Sequence, residues 1–428
     1  MPLRLLLGDC IEQMRLLEVE SVDALVSDPP YGIGFMGREW DTFTPEYISK
    51  RQAQSVKDTL QKHSPNANLR GRTVGAHSTP SGIEYDYTVK GLRGFQAWTE
   101  LWAREAFRVL KPGAHAVVCG APRAYHRMAS GLEDAGFEIR DCLAWLFGSG
   151  FPKSLNLGEG LGTALKPAHE PIVLARKPFK GTVKANVETH GTGALNIDAC
   201  RIGDTVETWP KTASYGRFDT GSQIKVHAQP TGPAPAGRWP ANVCLDEIAA
   251  MVLDEQSGEL VSGANPTTRG SDKFRGIYSA FKGQEDCSAA RGEDIGGASR
   301  FYYVAKPSRE ERDYGCLDQP TLSAGACTHR ADGSAGLSSP RAGAGRTSGH
   351  KNFHPTVKPV ELMRWLVKLV TPINGVVLDP FMGSGTTGMA CRYEQRSFIG
   401  IEREAEYLAI AERRIAAVAP LFASEVAK

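Results

Sequence analysis

Residues 376–402 read VVLDPFMGSGTTGMACRYEQRSFIGIE, and this run constrains the fold more than any other part of the chain. A short apolar segment ends at Asp379. A turn with Gly383, Gly385 and Gly388 follows, then a helix-like stretch, then a second apolar segment that ends at Glu402. Strand, glycine turn, helix and strand in that order form a βαβ unit of a doubly wound, mostly parallel sheet. Gly383-x-Gly385-x-x-Gly388 lets the backbone approach a ligand closely, and an acid about 20 residues on can hold two ribose hydroxyls. With strand, helix and acid all in place, an adenosine-containing cofactor is expected. No Lys-Ser/Thr follows the glycines, so the turn is not a P-loop. Nicotinamide dinucleotides and S-adenosyl-L-methionine both fit this pattern.

A second motif lies near the other end. VDALVSDPPYG places Asp28, Pro29, Pro30 and Tyr31 where an apolar, β-branched strand stops. A carboxylate and the Pro29 carbonyl can accept hydrogen bonds from an amine, and the prolines hold these acceptors in place. The Tyr31 ring can stack on a base. A simple Pro-Pro turn capping a strand accounts for the same four residues.

Taken together, SDPPYG early, HPTVKPVELMRWLVKLVTP at 354–372 and DPFMGSGTT late resemble the DNA amino-methyltransferases, which modify N6 of adenine or N4 of cytosine. The resemblance covers roughly residues 3–40, 95–178 and 353–415, and its motif order is similar to the β arrangement of that family. It implies a site-specific methyltransferase of the restriction-modification kind, with S-adenosyl-L-methionine as cofactor and double-stranded DNA as partner. Asp28, Pro29, Pro30 and Tyr31 would hold a flipped-out base. Asp9 would lie near the cofactor adenine, Glu402 at the ribose, and the turn from Phe381 through Gly383, Gly385 and Thr386 to Thr387 around the methionine portion, with Asp379 beneath. Thr356 and Lys358 would reach the cofactor carboxylate. In the family, Asp before Pro-Pro is usual for adenine and Ser for cytosine N4, so Asp28 favours adenine. Cytosine N4 and an RNA or protein amide nitrogen are the alternatives. No metal is expected.

The motif order corresponds to a circular permutation of one Rossmann-like sheet. Strands at 376–379 and 398–402 would be its first two, and the segments ending at Asp9 and Asp28 its next two, with a helix at 403–418 running back towards the start of the chain. Both motifs would then meet at the carboxyl edge of the sheet, at its switch point. On this reading residues 1–180 form the catalytic half, with a basic insertion at about 42–94. Residues 353–428 form the cofactor-binding half. Residues 181–352 form an inserted target-recognition region with a flexible linker at 323–352.

The rest of the chain fits that frame. A length of 428 residues allows one large α/β domain with an inserted lobe. A net charge of +2 leaves nucleic-acid contact to local patches. Nine scattered cysteines form no metal-binding spacing and read as reduced, mostly buried thiols of a cytoplasmic protein. No apolar run is long enough to span a membrane. A two-fold homodimer is the default assembly. Residues 95–110 have helical periodicity, and HEPIVLARKP reads as a strand at the sheet edge. The loop GSGFPKS resembles the family motif lining the base pocket, with Trp145 and Phe151 either there or in the core. SRFYYVAKPSRE interleaves Arg300, Tyr302, Tyr303, Lys306 and Arg309, which suits phosphate clamping and stacking or, alternatively, a buried strand.

Overall fold

The computed structural model describes residues 2–32, 89–150, 156–206, 236–262, 294–305, 309–321, 351–354 and 356–418. Most of the basic stretch at 42–94, most of the linker at 323–352, Phe151 and Lys306 lie outside them.

One nine-stranded sheet organises the described residues. Its strands are β1 (Leu3–Leu7), β2 (Val22–Ser27), β3 (Leu110–Cys119), β4 (Glu138–Leu146), β5 (His169–Arg176), β6 (Val243–Asp246), β7 (Tyr303–Ala305), β8 (Val376–Asp379) and β9 (Ser397–Glu402). Their order across the sheet is β1-β9-β8-β2-β3-β5-β4-β6-β7. Every neighbouring pair is parallel except the two that β5 makes. This is the α/β class expected from the glycine turn, and the permutation is visible in the pairings. N-terminal β1 lies in register along C-terminal β9, from Leu3 opposite Phe398 to Leu7 opposite Glu402. On the other side, β8 pairs with β2.

Strands buried on both faces need apolar residues in unbroken runs, and β2 is buried along its whole length. Alternate residues serve opposite layers. Leu25, Ala116 and Val118 join a core formed with α1 (Cys10–Arg15), α2 (Val89–Val109) and α3 (Tyr125–Asp134). Ala24, Val26 and Val117 join the other core, formed with α6 (Val360–Val370), α7 (Thr386–Tyr393) and α8 (Ala405–Ala417). Between them in sequence come α4 (Val183–His190) and α5 (Glu247–Ser257). Trp102 on α2 and Trp365 on α6 are fully buried anchors of the two layers.

Two expectations need correction or a choice. The segment HEPIVLARKP is not an edge strand: β5 lies inside the sheet, antiparallel between β3 and β4. Its buried Pro171–Ala175 core matches an interior position better than an edge. The segment around Tyr303 is a strand of the main sheet, and its ring stacks on Trp365 at 5.2 Å while its hydroxyl donates to the Glu361 carbonyl. Arg300 is held by Asp294 and by the carbonyls of Gly296, Gly297 and Leu260. Both side chains are thus engaged within the fold. Thus β6 and β7, from the middle of the chain, extend the main sheet.

Candidate active site

The site lies where the chain reverses direction across the sheet, at the carboxyl ends of β8 and β2. A cavity of about 420 Å³ opens there. Its lining includes all four residues of the Asp28–Tyr31 loop and Asp9, Thr356, Lys358, Asp379, Phe381, Gly383, Thr386, Thr387 and Glu402. The expected site residues therefore share one chamber. Gly385 is the exception, since it forms the turn from behind.

The glycine turn is shaped by close approach. Gly383 has φ +53°, and a Cβ there would stand 2.8 Å from His354 Nε2. Gly385 has φ +81°, and its Cβ would meet the Ala411 Cα of α8 at 2.9 Å. Both positions thus exclude a side chain on two grounds, conformation and space. The Glu402 carboxylate accepts from Gly383 N at 2.9 Å and from Glu404 N at 2.8 Å, and burial raises its pKa. Asp9 caps α1 by accepting from Ile11 N, and Gly8 N donates to the Glu402 carbonyl at 2.9 Å, so the two acids sit on adjacent strand ends.

Asp379 lies beneath the turn. It accepts from Ser27 Oγ at 2.6 Å, from Phe381 N at 3.1 Å and from the Thr387 side chain. Burial pushes its pKa up to about 6 against the pull of those donors. Behind the turn, fully buried Arg414 donates to the Ser384 carbonyl and hydroxyl and to Thr386 Oγ1.

The opposite wall carries a tight ionic cluster. Lys358 Nζ is 2.9 Å from Asp28 Oδ2 and 2.7 Å from Glu170 Oε1, and donates to the Tyr31 hydroxyl at 2.8 Å. The Tyr31 hydroxyl lies 2.7 Å from both Asp28 Oδ1 and Glu170 Oε1. The two carboxylates hold the Lys358 pKa above its usual range although burial opposes this. Burial and the neighbouring carboxylates raise that of Tyr31, and burial raises that of Glu170. Asp28, Cys119 and Glu170 place donor atoms within 4.8 Å of one another, and the Lys358 ammonium supplies the positive charge beside the two carboxylates. Lys358 thus faces the Asp28 loop in this structure.

Several lining residues were not singled out from the sequence. Glu170 stands at the start of β5. Because that strand is antiparallel, its start lies at the edge where the parallel strands end. Its acidity beside an apolar run was the available signal, but a strand expected at the edge of the sheet would not carry it to the site. His354 is half-buried, its Nδ1 is 2.5 Å from the Thr356 carbonyl oxygen, and desolvation of its ring lowers its pKa to about 4. Trp98 and Phe147 line the cavity, whereas Trp145 packs against the core and touches Phe147 at 5.5 Å between ring centres.

The cavity suits an adenosyl cofactor. It falls within the roughly 300–1,000 Å³ of small-molecule sites, with a glycine turn for close backbone approach and an acid at the end of the second strand. Fold and site thus define a group-transfer enzyme of the permuted, doubly wound α/β class. The family model described as DNA methylase, of the N6/N4 type, matches residues 22–413, and the chain belongs to that family. It is a DNA methyltransferase, and its cofactor is S-adenosyl-L-methionine.

The chain is 28% identical over 426 residues to the Type II methyltransferase M.HindIII of Haemophilus influenzae, covering 95% of this chain and 93% of that one. It is 42% identical over 77 residues to M.ScaI of Streptomyces caespitosus, covering 18% of this chain and 25% of that one. Among solved structures, the M1.HpyAVI–SAM complex is similar at 16% identity and a TM-score of 0.37, covering 96% and 98% of the two chains. The cytosine-N4-specific PvuII DNA methyltransferase is similar at 13% identity and 0.43, covering 96% and 85%. Among the described residues, no helix is long and apolar enough to cross a membrane.

Proposed function

We propose that this DNA methyltransferase modifies N6 of a flipped-out adenine in double-stranded DNA. The observation that carries the reading is Asp28, not Ser, ahead of Pro29-Pro30-Tyr31, on the wall of the chamber that also holds the glycine turn. S-adenosyl-L-methionine, when bound, supplies an electrophilic methyl group carried on a positively charged sulfur.

The chain's own residues do the rest. The Asp28 carboxylate and the Pro29 carbonyl accept the two hydrogens of the exocyclic amine. That draws the nitrogen towards tetrahedral geometry and frees a lone pair otherwise delocalised into the ring. The stiff Pro-Pro backbone fixes both acceptors beforehand, so little reorganisation accompanies the reaction. No covalent enzyme intermediate is required. Asp28 or water takes the proton that the methylated nitrogen releases. The Tyr31 ring stacks on the extruded base, since the target atom is out of reach within a stacked duplex.

At the other wall, Glu402 holds the ribose hydroxyls and Asp9 lies beside the cofactor adenine. Phe381, Gly383, Thr386 and Thr387 surround the methionine portion, shaped from behind by Gly385 and from beneath by Asp379. Thr356 lies nearest the cofactor carboxylate. Lys358, first expected at that carboxylate, is assigned to the Asp28 side on the strength of its ion pairs. Residues 1–180 and 353–428 are the catalytic and cofactor-binding halves. Residues 181–352 provide target recognition, while contributing β6 and β7 to the shared sheet.

The test uses the purified protein, labelled cofactor and unmethylated DNA, followed by digestion to nucleosides. N6-methyladenine is expected. N4-methylcytosine alone would overturn the adenine assignment.

A further inference from the structure

Each oxygen of Asp28 already faces a donor. Oδ1 lies 2.7 Å from the Tyr31 hydroxyl, and Oδ2 lies 2.9 Å from Lys358 Nζ. An incoming amine therefore meets a carboxylate already supplied with donors. Each oxygen keeps a second lone pair, but the donors it already has draw on its charge and weaken Asp28 as an acceptor for the target amine.

Glu170 offers the Tyr31 hydroxyl a second acceptor. Its Oε1 is 2.7 Å from the Tyr31 hydroxyl and 2.7 Å from Lys358 Nζ. A phenol carries one proton, so Tyr31 donates to one carboxylate at a time. Turning the O–H bond moves that donation from Asp28 Oδ1 to Glu170 Oε1 without displacing a heavy atom. Lys358 has three N–H groups, and Asp28 Oδ2, Glu170 Oε1 and the Tyr31 oxygen match them. The ammonium thus holds all three groups in place while the hydroxyl turns.

We propose that Glu170 is a positioning residue that takes over the Tyr31 hydroxyl and so leaves Asp28 Oδ1 a stronger acceptor for the amine of the target base. The proposal rests on the reading of Asp28 as the amine acceptor. Without an acceptor at position 170, the Tyr31 hydroxyl could leave Asp28 only by losing its hydrogen bond, and a buried hydroxyl with no acceptor is costly. The Cys119 thiol nearby is a weak substitute.

The test compares steady-state kinetics of full-length variants on unmethylated bacterial genomic DNA with tritiated S-adenosyl-L-methionine. Glu170→Leu should lower kcat about ten- to hundred-fold. The KM for DNA and the calorimetric affinity for the cofactor should stay within about two-fold. Glu170→Gln keeps an acceptor oxygen and should retain most of kcat. Adding Tyr31→Phe to Glu170→Leu removes the hydroxyl that competes for Asp28 and should raise kcat several-fold, although Tyr31→Phe alone brings no gain. A merely structural Glu170 would not produce that reversal of sign. Glu170→Met enters the same cycle if the Leu variant does not fold. Wild-type kcat in Glu170→Leu, or a double variant slower than the single, overturns the proposal. Asp28→Ala separates the two levels: if it is inactive while Glu170→Leu is unimpaired, only the role of Glu170 fails, whereas an active Asp28→Ala removes the acceptor reading itself.

Discussion

The Ser27 hydroxyl donates to Asp379 Oδ1 across 2.6 Å, joining two residues 352 positions apart in sequence. Ser27 ends β2 and leads into the Asp28 loop, while Asp379 ends β8 and leads into the glycine turn. One buried bond therefore ties the Asp28 loop to the glycine turn. Ser27→Ala should cost about 1–2 kcal/mol of stability, because it leaves a buried carboxylate short of one donor. Denaturant unfolding measures that loss. Calorimetry should show weaker cofactor binding in the same variant.

Asp379 and His354 give the site opposite responses to acid. Asp379 titrates at about 6 in the fold, above an ordinary carboxyl, so its contribution favours the fold at low pH and is lost as pH rises through 6. His354 titrates at about 4, below an ordinary imidazole, so its contribution is present above about 6.5 and is lost as pH falls through 4. Asp379→Asn removes the first term alone. Relative to wild type, the variant should lose about 2 kcal/mol of stability between pH 7 and pH 4. Unfolding curves across that range check the sign.

Gly383→Ala tests the cradle. A methyl group would combine an unfavourable φ with contact against His354 Nε2 at 2.8 Å. Cofactor affinity should fall about ten-fold or more, from a displaced turn costing about 1.4 kcal/mol or more. Far-UV circular dichroism should remain that of the wild type, because the strain is local.

Arg414 is a buried cation beneath the turn, with its Nε unpartnered among the described residues and its pKa lowered to about 10 by burial. Its bonds to Ser384 and Thr386 fix the backbone on which the cofactor is expected to lie. Arg414→Met removes the charge but leaves those oxygens without donors. A loss of about 2 kcal/mol in stability is expected. Cofactor affinity should fall with it, and thermal melting with and without cofactor separates the two effects.

How far the sequence could be read depended on whether a feature is local. Gly383, Gly385, Glu402 and the Asp28–Tyr31 loop were legible because backbone conformation and strand ends fix them within a few residues. The permutation followed from the order of two such motifs. Glu170 was not legible as a site residue, because its place depends on β5 entering the sheet antiparallel between two distant strands. The short strands β6 and β7 carry too few residues for periodicity to separate a core strand from a surface loop. In sequence Tyr303 therefore suits a buried strand or a stacking platform, and in the fold its ring packs on Trp365. Lys358 was recognisable as a candidate site residue, but the two carboxylates beside it come together only in the fold.

The central claim is that Asp28 accepts the amine of adenine during methyl transfer. Its most direct test is mass spectrometry of nucleosides from DNA treated with wild type and with Asp28→Ala, alongside calorimetric cofactor binding for both. Wild type should yield N6-methyladenine. The variant should yield at least about a thousand-fold less at undiminished cofactor affinity, the order expected from losing a preorganised acceptor at the reacting group. Wild-type levels of N6-methyladenine from Asp28→Ala, or N4-methylcytosine as the product of the wild type, would contradict the account.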